Sequence, residues 1–454
     1  MDPESSSKRT GVDAPLADRV ALPFQEFARA ESAGGIVLLA CTALAVGWAN
    51  SPWADTYFHL WELSFSVGFE GAALTKTLHH WINDGLMVVF FFLVGLEIKR
   101  ELLVGELASS KQAAFPVAGA IGGMVVPALI YSVFNAGGPG ARGWAIPMAT
   151  DIAFALGVLA LLGSRVPSGL KIFLAALAIV DDIGAVLVIA IFYTAELSIR
   201  SLGAALGILA LLFFWNRAQV RSSPVYVLSG IVLWFAVLKS GVHATIAGVV
   251  LAMMIPTTTR IDEDVFVRKA QRALDDFGAA CDPDATSVMS NPKQQEALHA
   301  LERSVDQVQS PLLGLEHSLH GVVAFAIMPI FAFANAGVRL SAGMLSTISW
   351  RVVLGIVFGL VAGKVLGVTL TALASVRTGI AVQPEEVGWR QIFGVSWLAG
   401  IGFTMSLFVA NLAFGSGSLL DSAKIGILLA SVIAGIVGWS LLRRSAKGDV
   451  SRSV

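Results

Sequence analysis

Charged residues are scarce in this chain of 454 residues: Asp, Glu, Lys and Arg together make up 14%, against roughly 25% in an ordinary soluble domain. Hydrophobic residues make up 56%, so a water-soluble fold would have too few polar side chains to cover its surface. The net charge of −1 does not indicate a nucleic-acid partner. The composition therefore excludes a soluble enzyme, a fibrous protein and a disordered chain, and it favours a polytopic membrane protein.

Cysteine and several catalytic motifs are also rare or missing. The two cysteines, Cys41 in an apolar run and Cys281 in a polar stretch, indicate neither a disulfide framework nor a metal cluster. The sequence has no GxxxxGK[ST] motif, which argues against an ATP-driven pump. It also has no GxGD motif, which argues against an intramembrane aspartyl protease. We therefore expect a protein that is not an enzyme and needs no cofactor.

Apolar runs long enough to cross a bilayer as helices dominate the sequence. We predict an all-α membrane protein with about twelve such runs. They are residues 34–50, 80–97, 113–134, 144–163, 170–194, 201–215, 224–239, 241–257, 313–335, 350–374, 391–411 and 422–442. Residues 1–33 mix acids and bases without the apolar segment of a signal peptide. This predicts a soluble N-terminal tail at 1–33, a transmembrane domain at 34–442 and a C-terminal tail at 443–454.

The distribution of Lys and Arg predicts the orientation. Of the 31 Lys and Arg residues in the chain, 23 lie in the two tails and the loops on one side, 7 lie in the alternate loops, and the last, Lys364, lies within a span. The positive-inside rule then places both termini in the cytoplasm and requires an even number of spans.

Two loops are more than simple connectors. The predicted external loop at 51–79 contains WELSFSVGFEG, whose alternation favours a short β-hairpin. A lone hairpin is marginally stable, so we expect it to pair with another subunit. The cytoplasmic loop at 259–311 is highly charged, and its runs at 261–277 and 293–308 could form surface helices within a solvated insertion.

Five ionisable side chains interrupt the apolar runs: Asp84, Asp151, Asp181, Asp182 and Lys364. Each costs roughly 2.5–3.5 kcal/mol at the centre of a membrane helix. Counting residues from the connecting loops puts three of the carboxylates and the ammonium at one depth, near the midplane, since equal offsets in antiparallel helices mean equal depth. A purely structural salt bridge, such as Lys364 with Asp181, would leave two carboxylates unexplained. Such a layer is typical of an ion or proton pathway.

The spans that carry or face this layer contain helix breakers. Pro147 lies four residues before Asp151, and Gly400 with Gly402 lie in the middle of the eleventh run. Each could be an ordinary kink or a packing notch. Breaks level with buried charges favour discontinuous helices, whose free carbonyls and helix ends can hold an ion.

Carboxylates and free carbonyls are the oxygen ligands that a small hard cation such as sodium prefers. The same carboxylates bind protons, so cation and proton compete for one site. Adjacent aspartates at 181 and 182 point about 100° apart on a helix and can do different jobs. A proton- or sodium-coupled solute symporter is the alternative, and it predicts a cavity lined by aromatic or Arg side chains. A retinal Schiff base on Lys364 does not suit twelve spans.

From about residue 30 to 440 the sequence resembles the NhaA family of bacterial sodium/proton antiporters. The matching stretches are WINDGLMVVFFFLVGLEIKRE, AAFPVAGAIGGMVVPALIY, AIPMATDIAFALGVLALLGSRVP, LKIFLAALAIVDDIGAVLVIAIFYT, LEHSLHGVVAFAIMPIFAFANAGV, GKVLGV and GIGFTMSLFVANLAF. The resemblance implies inverted repeats whose two broken helices cross near the midplane, and a homodimer formed through the external hairpin in the bacterial inner membrane. It also implies electrogenic exchange of sodium or lithium ions for protons, activated at alkaline pH. The insertion at 259–311 is longer than the family's usual loop there.

The resemblance assigns roles residue by residue. Asp182 and Asp151 match the cation-binding pair, where Na⁺ would bind, and Thr150 lies at the break. Asp181 matches the carboxylate that pairs with the lysine, here Lys364. The cluster that the family uses in its pH response matches Glu97, Arg100, Glu101, Glu316, His317 and His320 here. From the residues alone, two imidazoles beside a carboxylate suit a pH response or a hydrated helix cap. Asp84 is expected to be an accessory residue, either a helix N-cap or an interface residue.

Overall fold

The computed structural model describes residues 16–68, 74–194, 197–280, 291–340, 343, 346–384 and 387–450, and no side chains for 16–32, 164 and 446–450. Parts of four predicted segments lie outside these ranges: the start of the N-terminal tail at 1–15, the hairpin turn at 69–73, the middle of the cytoplasmic insertion at 281–290, and the end of the C-terminal tail at 451–454.

The described chain is mostly helical, as its composition predicts. Its α-helices are α1 (Leu16–Ala49), α2 (Ala54–Glu62), α3 (Leu78–His80), α4 (Met87–Val104), α5 (Ser110–Asn135), α6 (Ile152–Ala160), α7 (Ser168–Phe192), α8 (Ile199–Arg217), α9 (Ser223–Leu238), α10 (Ile246–Met254), α11 (Glu263–Ala279), α12 (Pro292–Val308), α13 (Pro311–Val322), α14 (Met328–Asn335), α15 (Trp350–Phe358), α16 (Lys364–Arg377), α17 (Trp389–Leu398), α18 (Phe403–Phe414) and α19 (Ser418–Val450). π-Helical turns at Trp81–Leu86, Val323–Ile327 and Gly359–Gly363 join neighbouring helices into longer spans, and a 3₁₀ segment covers Ala141–Met148.

Within the described ranges, eight helical segments are long and apolar enough to cross a membrane, and two bent pairs raise the number to ten at most. The chain is thus a multi-pass membrane protein, but the expected count of twelve spans is not confirmed. The seventh and eighth predicted runs form only the shorter helices α9 and α10. A turn between them, where Gly241 has a φ of +87°, leaves nine residues for α10.

The first and last helices extend beyond their apolar runs. Helix α1 begins at Leu16, inside the predicted N-terminal tail, and α19 continues to Val450, past the predicted start of the C-terminal tail. Hydrogen bonding along a helix does not stop where apolar side chains stop, so hydropathy locates the membrane-embedded part better than the helix ends.

The predicted hairpin and surface helices are present. Strands β1 (Ser64–Val67) and β2 (Leu74–Thr77) pair antiparallel, with Ser64 opposite Thr77. In the insertion, α11 and α12 pack chiefly against each other. The amides of Arg260 and Ile261 both bond the carbonyl of Gln307, so the two ends of this helical hairpin lie together.

Candidate functional site: a crossing of two interrupted helices

The first interruption lies between Met148 and Ile152. The 3₁₀ segment, which contains Pro147, ends at Met148, and α6 begins at Ile152. Asp151 is the N-cap of α6, and its carboxylate accepts a hydrogen bond of 3.0 Å from the amide of Phe154. A carboxylate at this position satisfies a free amide and faces the positive end of the helix dipole.

The second interruption lies between α17 and α18, whose axes meet at a bend of 45°. Both predicted glycines belong to it. A Cβ at Gly400 would come within 2.5 Å of the Leu360 carbonyl oxygen, and one at Gly402 within 2.9 Å of the Ala149 carbonyl oxygen. At Gly402 the second break approaches the backbone of the first break, and at Gly400 it approaches the span Trp350–Arg377, so closely that only glycine fits.

Hydrogen bonds join the two interruptions directly. The amide of Asp151 donates to the carbonyl of Ile401 at 2.6 Å. In return, the amide and hydroxyl of Thr404 donate to Asp151 Oδ2 at 2.9 and 2.5 Å. The Ser406 hydroxyl donates to the Ile146 carbonyl at 2.8 Å. The interruptions thus supply each other's missing backbone partners, which a broken helix in a membrane requires.

Asp181 and Lys364 meet beside this crossing. Lys364 follows the π-helical turn Gly359–Gly363, and its ammonium donates to Asp181 Oδ2. Both side chains are fully buried. The Thr150 hydroxyl lies 2.6 Å from the same oxygen and 2.9 Å from the carbonyl of Ala399. The structure therefore brings the lysine, this carboxylate and the break into one bonded group.

Asp182 has a different environment from its neighbour. Its side chain is buried and lacks the ammonium and hydroxyl partners that bond Asp181 Oδ2, and its Oδ1, like Asp181 Oδ1, has no hydrogen-bond partner within the described part of the chain. The carboxylates of Asp181, Glu97 and Asp151 and the ammonium of Lys364 all lie close enough to act on it. A buried carboxylate oxygen with no donor is costly, and a cation or a proton is what would complete it.

The crossing thus offers a small, oxygen-rich site. Asp182 supplies an open oxygen, Asp151 a carboxylate that the first turns of α6 and α18 hold in place, and the breaks supply backbone carbonyls. Such a donor set suits a small hard cation.

The six residues predicted for the pH response are only partly connected. Arg100 bonds Glu316 at 2.8 Å and Glu101 at 3.1 Å. Glu97 and His320 line a narrow cavity of about 50 Å³, together with Ile152 and Ala153 of α6. The cavity therefore extends from Glu97 and His320 to Ile152 and Ala153, the two residues that follow Asp151. The remaining member, His317, is exposed.

Asp84 lies within the π-helical turn Trp81–Leu86 rather than at an N-cap. Its carboxylate pairs with His80 at 2.9 Å and with His243 at 3.5 Å. No described hydrogen bond or ion pair joins it with the crossing, so the structure separates it from the other carboxylates.

Sequence reasoning missed Thr404 and Ser406, whose hydroxyls bond across the crossing. A signal was present, because both hydroxyls directly follow the glycine break in an otherwise apolar run. What could not be read from the sequence is their partner, since it lies about 250 residues away in the chain.

Comparison with known proteins agrees with this geometry. The profile of the family described as Na⁺/H⁺ antiporter 1 matches residues 25–442. The Na⁺/H⁺ antiporter NhaA of Koribacter versatilis is 52% identical over 427 residues, covering 94% of this chain and 92% of that protein. The chain belongs to the NhaA family of Na⁺/H⁺ antiporters. The NhaA of Oleidesulfovibrio alaskensis is 51% identical over 95% of this chain and 96% of that protein. The family places the chain among secondary transporters that exchange sodium ions for protons, rather than among enzymes.

Proposed function

We propose that this chain is an electrogenic antiporter that expels sodium or lithium ions from the cell in exchange for external protons. The observation that carries the proposal is the open, buried oxygen of Asp182 beside Asp151 at the crossing of two interrupted helices. Two ligands compete for this oxygen: an alkali cation and a proton. Competition becomes exchange if the site opens to one side of the membrane at a time.

The charge count supports electrogenic transport. If both Asp151 and Asp182 release their protons when one monovalent cation binds, two positive charges leave as one enters. A cycle then moves one net charge across the membrane, and the membrane potential contributes to driving it. Asp181 takes no part in this count while Lys364 neutralises it. No cofactor enters the scheme.

The remaining features of the proposal follow from the family and the charge distribution. We place the protein in the bacterial inner membrane with both termini in the cytoplasm, in line with the positive-inside rule. Inverted repeats would relate the two interrupted helices, and the β1–β2 hairpin would pair two subunits in a dimer. In the cell, such exchange would maintain sodium and pH homeostasis.

A pH response is proposed for the cytoplasmic cluster. Glu97 and His320 line the cavity that reaches the first turn of α6, and Arg100 of the same cluster bridges Glu101 and Glu316. A change in protonation there would alter both the charge of the cavity lining and the packing against α6, whose N-cap is Asp151.

Solute symport is the alternative, and its expected aromatic cavity does exist. A cavity of about 620 Å³ is lined by Trp81, Trp234, Phe92 and other apolar side chains. None of the buried carboxylates lines it, so binding there would not be coupled directly to a cation or proton. This separation favours antiport of a bare cation.

Sodium-driven proton movement in proteoliposomes tests the proposal. The unmodified protein should move protons when a sodium gradient is applied, and Asp182→Asn should abolish this movement while the protein still inserts and unfolds cooperatively. Asp421→Asn is the matched control, because it removes a half-buried carboxylate from α19. Full activity of Asp182→Asn would contradict the assignment.

A further inference from the structure

A second buried polar cluster lies on α18, the helix that leaves the crossing at Thr404. Asn411 follows Thr404 by seven residues, so both lie on one face of the helix, about 10 Å apart along its axis. The Asn411 amide donates to Asn335 Oδ1 at 3.0 Å. Asn335 is the last residue of α14 and is fully buried.

The same oxygen has a second partner. His79 Nε2 lies 3.0 Å from Asn335 Oδ1. The amide nitrogen of Asn335 already donates to the carbonyl of Phe331 at 2.9 Å, which fixes the orientation of the amide. Because an amide oxygen only accepts, the imidazole carries a proton on Nε2 and donates it. One oxygen therefore ties together three spans: Leu78–Val104, Pro311–Asn335 and α18.

Two acceptors in this cluster stay open. Asn411 Oδ1 and Asn83 Oδ1 are buried without a donor in the described part of the chain, although the amide nitrogens of both residues are bonded. A cluster that served packing alone would pair such acceptors, because an unpaired buried oxygen costs free energy. Asn83 is bonded to the His79 carbonyl and Asn411 to Asn335, so both open acceptors are ready to take other donors when the cluster rearranges.

We propose that His79, Asn335 and Asn411 form an outer latch, which closes the external end of the transport path and must open before the site can face outside. The inference rests on the antiport proposed above. Helix α18 connects the latch with the site, because Thr404 at its other end holds the Asp151 carboxylate. A shift of α18 that breaks the bond to Asn335 would therefore also disturb the cation site.

Chemical labelling of a buried position tests the latch without relying on transport. Leu407, between Thr404 and Asn411, is fully buried, and Leu407→Cys would provide one target once Cys41 and Cys281 are changed to Ala. In right-side-out vesicles, a membrane-impermeant maleimide added outside should label His79→Leu and Asn411→Ala about fivefold faster than the parent. That factor is the population change expected when one hydrogen bond is lost.

The controls distinguish the loss of the hydrogen bond from a change in side-chain size, and they test the latch separately from the proposed antiport. His79→Gln keeps a donor and should label at the parental rate. Cooperative unfolding shows whether the parent, His79→Leu and Asn411→Ala are folded. If all three are folded and are labelled at the same rate, the latch proposal is overturned. Should His79→Leu fail to fold, Asn411→Ala tests the same oxygen without adding bulk. If the latch variants are labelled faster but the parent protein does not exchange sodium for protons, only the proposed function is refuted.

Discussion

At the scale of single residues, the two carboxylates assigned to the cation differ in how they are held. Asp151 accepts hydrogen bonds from the amides of Phe154 and Thr404 and from the Thr404 hydroxyl. Among the described residues, no donor bonds Asp182 Oδ1, which is buried. Since a bonded carboxylate is held in place and an open one is free to change partners, we expect Asp151 to orient the cation as well as to exchange its own proton, and Asp182 to bind the cation through its open oxygen.

Removing the hydroxyl of Thr404 should weaken sodium binding. Thr404→Val keeps the shape of the side chain and the backbone bond but loses the bond of 2.5 Å to Asp151. A hydrogen bond to a charged group contributes about 1.5–3 kcal/mol, so the KM for sodium should rise about 10- to 150-fold. Thr404→Ser keeps the hydroxyl and should stay close to the parent, and a Thr404→Val protein with unchanged KM would refute this role.

Removing both members of the buried pair of Lys364 and Asp181 should lower the stability less than removing one of them. Asp181→Asn leaves a fully buried ammonium without its carboxylate, which should lower the free energy of unfolding by about 3–5 kcal/mol. Adding Lys364→Met removes the unpaired charge and should restore most of that loss. Thermal unfolding of the single and double variants measures both effects. A double variant no more stable than Asp181→Asn would show that the pair is not the cause.

At the scale of helices, the site depends on breaks that let two backbones approach. The glycines after α17 lie against carbonyl oxygens of other spans, and Asp151 caps α6 only because the preceding helix ends early. Hydrogen bonds between the breaks replace those that the helices lack. The breaks are therefore part of the binding site rather than flexible joints.

Filling one of these approaches should destabilise the protein. In Gly400→Ala the new Cβ would lie 2.5 Å from the backbone oxygen of Leu360, which cannot move without shifting its helix. We expect a loss of about 1–3 kcal/mol in the free energy of unfolding, as for overpacked cores. Gly47→Ala is the control, because that helical glycine has open space around it and should tolerate or gain from the methyl group. Equal unfolding temperatures for both variants would contradict the close approach.

The cytoplasmic insertion should be separable from transport. Helices α11 and α12 pack chiefly against each other, and the ends of the insertion meet at Gln307. Replacing residues 262–306 by a short Gly-Ser linker should therefore leave the sodium KM at alkaline pH within about twofold, since loops whose ends are close tolerate such changes. Transport assays of the shortened protein check this. A complete loss of transport in a protein that still unfolds cooperatively would show that the insertion supports the site.

At the scale of the whole molecule, the sequence was sufficient to predict the helical membrane fold and the depth of the buried charges, but not the contacts between distant segments. Hydropathy predicted the helical membrane fold, and alternation predicted the β1–β2 hairpin. Counting residues from loops put Asp151, Asp181 and Lys364 at one depth, and the structure brings them together at the crossing. Eight to ten of the twelve predicted spans are long enough in the described ranges, and the count of twelve stays a prediction because runs such as 241–257 contain turns and form only short helices. Partners across the crossing, such as Thr404 for Asp151, depend on packing between distant segments, which no local pattern encodes.

The most direct measurement is the affinity for sodium as a function of pH, made on the purified protein by calorimetry. If cation and proton compete for the same carboxylates, sodium binding must release protons, and in the range where they titrate its dissociation constant must rise as the pH falls, about tenfold per pH unit for each proton displaced. Asp182→Asn should lose both the binding and the proton release. A sodium affinity that stays constant across the pH range, or binding that releases no protons, would contradict the account.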